Sequence, residues 1–148
     1  MRVIWLGVWL LLVTLAGCVP YPVYKTLQPS AKVTVQDERG RPVSGANVSL
    51  ITRRFPYGSE FSRTTKETNL QGIAHFERQS EWQVEALVIH GAWEYSWEWC
   101  VSKPGFANSS GPAGNSTQRF SQDAVIRLKR GRATPCVSID RYLAKPAP

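Results

Sequence analysis

The spacing of hydrophobic residues changes character twice along the chain. Residues 3–16 form a nearly unbroken apolar run behind Arg2. The run is shorter than the roughly 20 residues that a membrane-crossing helix needs. With the cation ahead of it, it reads as a signal peptide to be set aside in reasoning about the fold. Residues 19–31, VPYPVYKTLQPSA, have no clear period. Pro20, Pro22 and Pro29 oppose both helix and sheet interior, so an extended tether is expected over residues 18–31. Tyr21 and Tyr24 then lie either at lipid headgroups or packed on the domain that follows.

From residue 32 the pattern alternates with period two, as in half-buried strands. In KVTVQD, Val33 and Val35 face one way and Thr34 and Gln36 the other. Residues 38–42 make a turn, with Gly40 free to take positive φ and Pro42 unable to donate to a ladder. Residues 47–52 put Val48, Leu50 and Thr52 on one face. Polar residues 63–67 read as an edge strand, residues 73–77 as a short strand, and residues 82–90 as a more central one. In residues 93–100, WEYSWEWC, Trp93, Tyr95, Trp97 and Trp99 share one face, while Glu94, Ser96, Glu98 and Cys100 share the other. Residues 103–119 are dense in Gly, Ser, Asn and Pro and read as a long loop. Residues 124–129 form a last strand. Seven strands without a helical period predict an all-β fold: one antiparallel Greek-key sandwich over residues 32–130, followed by a tail over 131–148.

Two features bear on chemistry. The stripe Trp93, Tyr95, Trp97 and Trp99 is either the core of the sandwich or an exposed stacking platform for a glycan or partner. The acidic opposite face favours the core. Arg127 and Lys129 alternate onto one face of the last strand, beside Arg130 and Arg132. They serve either as a solvated, edge-protecting face or as a contact for anionic envelope polymers; the net charge of +7 permits the second. Enzymatic signals are absent from the sequence pattern. His75 and His90 fall on different strands, no G-x-S-x-G occurs, and Glu94 and Glu98 are too far apart along a strand for a glycosidase pair. No cofactor or metal site is expected.

Leu15-Ala16-Gly17-Cys18 resembles the lipobox of bacterial lipoproteins at all four positions. That resemblance implies cleavage before Cys18 and a diacylglycerol on its thiol. Val19, in place of an aspartate, resembles the pattern for export to the outer membrane, with the domain facing the periplasm. An exported protein makes nucleic acid an unsuitable partner. Of the three cysteines, Cys100 and Cys136 then remain. They pair as one disulfide in an oxidising compartment, with metal binding as the weaker alternative for want of nearby ligands.

A second resemblance covers most of residues 32–130. Residues 35–48, VQDERGRPVSGANV, resemble the opening of carboxypeptidase regulatory-like domains, which have a transthyretin-like sandwich. Residues 68–76, TNLQGIAHF, are similar to that family's second turn and strand, KPGF at 103–106 to a later turn, and VIRL at 125–128 to its closing strand. These motifs speak for architecture rather than activity. Related sandwiches with an internal isopeptide bond use an asparagine in the last strand, which residues 124–129 lack. The transthyretin-like hydrolase ends in Tyr-Arg-Gly-Ser, whereas this chain ends AKPAP. The expected function is a non-enzymatic, membrane-anchored envelope lipoprotein that engages another protein. The alternative is a glycan- or peptidoglycan-binding module.

Overall fold

Val33 and Val35, two apart and fully buried, set one layer of a sandwich, and Val48 and Leu50 set the other. The computed structural model describes residues 20–55, 58–86, 93–115, 120–134 and 136. Cys18, the apolar run before it and His90 lie outside the described residues. The described residues form nine strands: β1 Pro20–Gln28, β2 Ala31–Asp37, β3 Asn47–Phe55, β4 Ser59–Glu67, β5 Ile73–Phe76, β6 Gln79–Ala86, β7 Glu94–Ser102, β8 Ser109–Asn115 and β9 Asp123–Leu128. They form a three-stranded sheet β5-β2-β9, a four-stranded sheet β4-β3-β7-β8 and a ribbon β1-β6. The described residues contain no helix.

The core is where the alternating faces of the two sheets meet. Phe76 of β5 leans on Trp99 of β7 with ring centroids 5.3 Å apart, and Phe120 tilts against both Trp97 and Trp99 at 5.6 and 6.1 Å. Leu128 closes the β9 side, fully buried. Two turns hold the layers in register. Gly72 sits at φ +71°, and a Cβ there would stand 2.6 Å from the Val35 carbonyl, so only glycine fits. The buried Thr68 hydroxyl accepts the Ala46 N–H at 2.9 Å and donates to the Val43 carbonyl at 2.7 Å.

The all-β sandwich therefore stands as the alternation predicts, with four differences in detail. First, residues 20–28 are strand β1 rather than tether. Among the described residues β1 has a single strand neighbour, β6, so Pro20 and Pro22 can occupy it at positions that need donate nothing. Second, β6 is not central: among the described residues it pairs only with β1, Trp82 and Val84 are each 70% exposed, and residues 87–90 of the expected strand lie outside the described residues. Third, part of the Gly- and Ser-rich stretch is strand β8, because its small residues pair with β7 from Ser96↔Asn115 to Val101↔Ser109 without needing to fill a core. Finally, β9 runs parallel to β2, from Lys32↔Asp123 to Asp37↔Leu128, while the remaining pairs are antiparallel.

Cys100 and Cys136 form a disulfide, Cα atoms 5.9 Å apart, which ties the tail to β7. Arg63 of β4 donates to the Cys136 carbonyl at 2.7 Å. Asn108 clasps Thr134 through its amide, accepting the Thr134 N–H at 3.2 Å and donating to the Thr134 carbonyl.

Candidate functional site: the cleft beside the β1–β6 ribbon

The aromatic stripe resolves by position. Tyr95, Trp97 and Trp99 point into the core and are 1–6% exposed. An exposed platform made of these three rings is excluded, because β7 is an interior strand and its inward face must fill the space between the sheets. Trp93, just before β7, is half-buried, and the Arg54 guanidinium lies 4.3 Å from its ring centroid. Opposite the stripe, Glu98 holds Arg53 at 2.7 and 3.0 Å. Arg127 and Lys129 are exposed at the outer edge of the three-stranded sheet and do not join the aromatic residues in one site. His75 stands exposed on β5.

What the fold does assemble is a cleft of about 650 Å³ between the ribbon, the start of β7 and the segment before β9. That volume is in the range of small-ligand and side-chain pockets. Trp93, Tyr95, Trp97 and Phe120 supply its apolar surface, and Arg78, Asn115 and Gln122 supply polar groups. Four consecutive residues of β1, Val23, Tyr24, Lys25 and Thr26, form one wall. Consecutive strand residues point to opposite faces, so a wall made of all four is the edge of the strand. That edge faces away from β6, and no other strand of the described residues pairs with it.

A polar clasp fixes this wall against the sandwich. Lys25 Nζ donates to the Trp93 carbonyl at 2.6 Å and forms an ion pair with Glu85, which in turn accepts the Trp93 N–H at 3.0 Å. Glu85 is 5% exposed. The Leu27 carbonyl accepts two further bonds, from Trp97 Nε1 at 2.8 Å and from the Thr52 hydroxyl at 3.1 Å. The Tyr95 hydroxyl donates to Gln83 of β6 at 3.0 Å. Lys25, Glu85 and Phe120 were not singled out from the sequence. A lysine and a glutamate sixty residues apart give no local sign that they will meet.

A second, smaller cleft of about 150 Å³ lies by the 37–41 turn. There the Arg41 backbone N–H, the Arg41 guanidinium and the Arg39 N–H all bond the Asp37 carboxylate, and they hold its pKa below the ordinary carboxylate value. The Asp37 and Arg41 charges are thus taken up in forming the turn. Among the described residues no group of three or more His, Cys, Asp or Glu stands ready to hold a metal ion.

No family model matches the chain. No curated protein matches it either. Among solved structures it is similar to 3-chlorocatechol 1,2-dioxygenase from Rhodococcus opacus 1CP, with a TM-score of 0.42 and 14% identity over 72% of this chain. The chain spans 60% of that dioxygenase's length.

Proposed function

We propose that the protein is a non-enzymatic lipoprotein of the bacterial envelope, anchored by a lipid on Cys18 in the outer membrane, whose periplasmic sandwich is of the carboxypeptidase regulatory-like kind and binds an extended segment of a partner protein. The lipobox-like Leu15-Ala16-Gly17-Cys18 supports the anchor. One observation carries the binding role: the open edge of β1 forms the wall of an aromatic cleft. An extended peptide can pair its backbone with such an edge and drop side chains into the adjoining pocket. The polar groups that line the wall are engaged in holding it in place, as the Lys25–Glu85–Trp93 clasp illustrates. The test is a photo-crosslinking residue at Gln122, on the cleft, compared with one at Arg127, away from it, in living cells. A discrete protein adduct at Gln122 and none at Arg127 is expected. Equal adducts at both positions refute the site.

A second reading has its own support. Tyr24, Trp93 and Phe120 bring rings to the same cleft as the Gln122 and Asn115 amides, a combination suited to a sugar. Cell-wall muropeptides would then change the tryptophan emission of the wild type and leave Trp93→Phe unaffected. Absence of any emission change across a muropeptide panel removes this reading.

A further inference from the structure

Apart from Tyr24, which also borders the cleft, the apolar residues on the outward face of the β1–β6 ribbon have no place in the function proposed above. Register puts Pro22 opposite Val84 and Tyr24 opposite Trp82, so these four side chains share one face. All are exposed, Tyr24 at 57% and Trp82 and Val84 at 70%. Tyr24 and Trp82 touch, ring centroids 5.3 Å apart. The opposite face carries Lys25, Gln83 and Glu85, all bonded to the sandwich. The ribbon is therefore held rigidly by its polar face and offers its apolar face to whatever lies outside.

That outer face is graded along its length. At the Pro20 end stand Pro20, Pro22 and Val84, with Tyr24 and Trp82 in the middle. At the far end stand Thr26 and Ser80, capped by Arg78, which donates to them at 2.7 and 3.2 Å. The apolar end is the one nearest Cys18. Only Val19 separates Cys18 from Pro20, and two residues of chain reach at most about 7 Å.

We propose that the outer face of this ribbon docks into the headgroup region of the bilayer that holds the anchor, with Tyr24 and Trp82 at the interface. The proposal rests on the lipid-anchor reading of Cys18. A lipid inserted at Cys18 brings the Pro20 end of the ribbon to the membrane surface. Tyrosine and tryptophan favour the boundary between headgroups and acyl chains, and the polar Thr26–Ser80–Arg78 end extends into water. The ribbon then acts as a rigid arm that sets the tilt of the sandwich, where the sequence pattern suggested an extended tether. A protein covering the face instead would have no need of a gradient aligned with the anchor.

The test uses the full mature lipoprotein in phosphatidylethanolamine–phosphatidylglycerol vesicles whose acyl chains carry bromine, a short-range quencher of tryptophan. Trp5 and Trp9 leave with the signal peptide, and Trp97 and Trp99 are buried. Trp93 is half-buried against Arg54 in the cleft rather than on the ribbon's outer face, so Trp82→Phe separates its signal from that of Trp82. The wild type is expected to be quenched, and Trp82→Phe to lose most of that quenching. Because Trp82 is largely exposed, this substitution leaves the fold intact, which the unchanged emission of the core tryptophans in unbrominated vesicles verifies. Intact mass, read on the same sample, reports whether Cys18 carries its lipid. Equal quenching in both proteins with the lipid present overturns the docking proposal and leaves the anchor standing. A mass without lipid overturns the anchor and the docking together. A photo-crosslinker in place of Trp82 that captures phospholipid in cells supports the proposal, and one that captures a protein overturns it.

Discussion

Glu85→Ala probes the joint on which both the cleft and the ribbon depend. The substitution removes the acceptor for the Trp93 N–H and the counter-charge of Lys25 at a position only 5% exposed. Stranding one partner of a fully buried ion pair costs about 3–5 kcal/mol. Lys25 is not fully enclosed: its side chain is 19% exposed, and it keeps its bond to the Trp93 carbonyl. It can turn toward water, so the expected loss is smaller, about 2–3 kcal/mol. Replacing both partners by apolar residues, Lys25→Met with Glu85→Leu, leaves no charge stranded and is expected to recover most of that loss. The double-mutant cycle, run with the single variants Lys25→Met and Glu85→Leu, then yields a coupling of about 2 kcal/mol or more.

The assay is urea denaturation of the mature domain together with hydrogen exchange. Exchange locates the damage: amides of β1 and β6 should lose protection well before those of β2, β3 and β7, because the clasp joins the ribbon to a core that stands without it. Two results would refute the reasoning. One is a cost below about 0.5 kcal/mol, the level of a solvent-exposed pair. The other is a uniform loss of protection across all strands, which would make the ribbon part of one cooperative unit rather than a docked arm.

Three further outcomes are expected. Thr68→Val strips the Ala46 N–H and the Val43 carbonyl of their shared buried partner and should cost about 2–4 kcal/mol, whereas Thr68→Ser keeps both bonds and should cost about 1 kcal/mol. Equal costs in the two variants would show that the hydroxyl is not the clamp. Cys136→Ser opens a loop of 36 residues in sequence separation and should lower stability by about 3–4 kcal/mol on the chain-entropy account; a urea midpoint unchanged by reductant would contradict it. The Asp37 carboxyl has a depressed pKa in the folded state. Its contribution is therefore present above the unfolded-state value of about 3.9 and disappears as pH falls through the lower folded value. An NMR titration should place the Asp37 midpoint below that of an unfolded-chain aspartate, and Asp37→Asn should flatten the acid limb of the stability curve; a midpoint at or above the ordinary value contradicts the turn geometry.

Alternation by itself located most strands of the two sheets, and it did so for a physical reason. Val33, Val35, Val48, Leu50, Ala74, Phe76 and Leu128 lie in strands with one face buried and one face wet, so period two is written directly into the residues. The stripe Tyr95, Trp97 and Trp99 belongs to the same class: an acidic opposite face and three large rings are satisfied by a core. Once the lipobox-like motif set Cys18 aside, the cysteine count left Cys100 and Cys136 to pair, as the structure has them. β1 and β8 were not legible. Prolines in one and small polar residues in the other erase the alternation, and each is held by a neighbouring strand rather than by burying an apolar face of its own.

The sequence thus determined an alternating β-sandwich, because burial on one strand face is a local, periodic demand; it favoured a core role for the aromatic stripe but left the exposed platform open. The tertiary structure decided the rest. Whether Trp82 is central or exposed depends on which strands flank β6. Whether Lys25 is a surface cation or a clasp depends on Glu85 and Trp93, which reach it only after folding. The cleft and the ribbon's graded face likewise come from segments far apart in the chain, and strand order, which brings them together, leaves no periodic trace in any one of them.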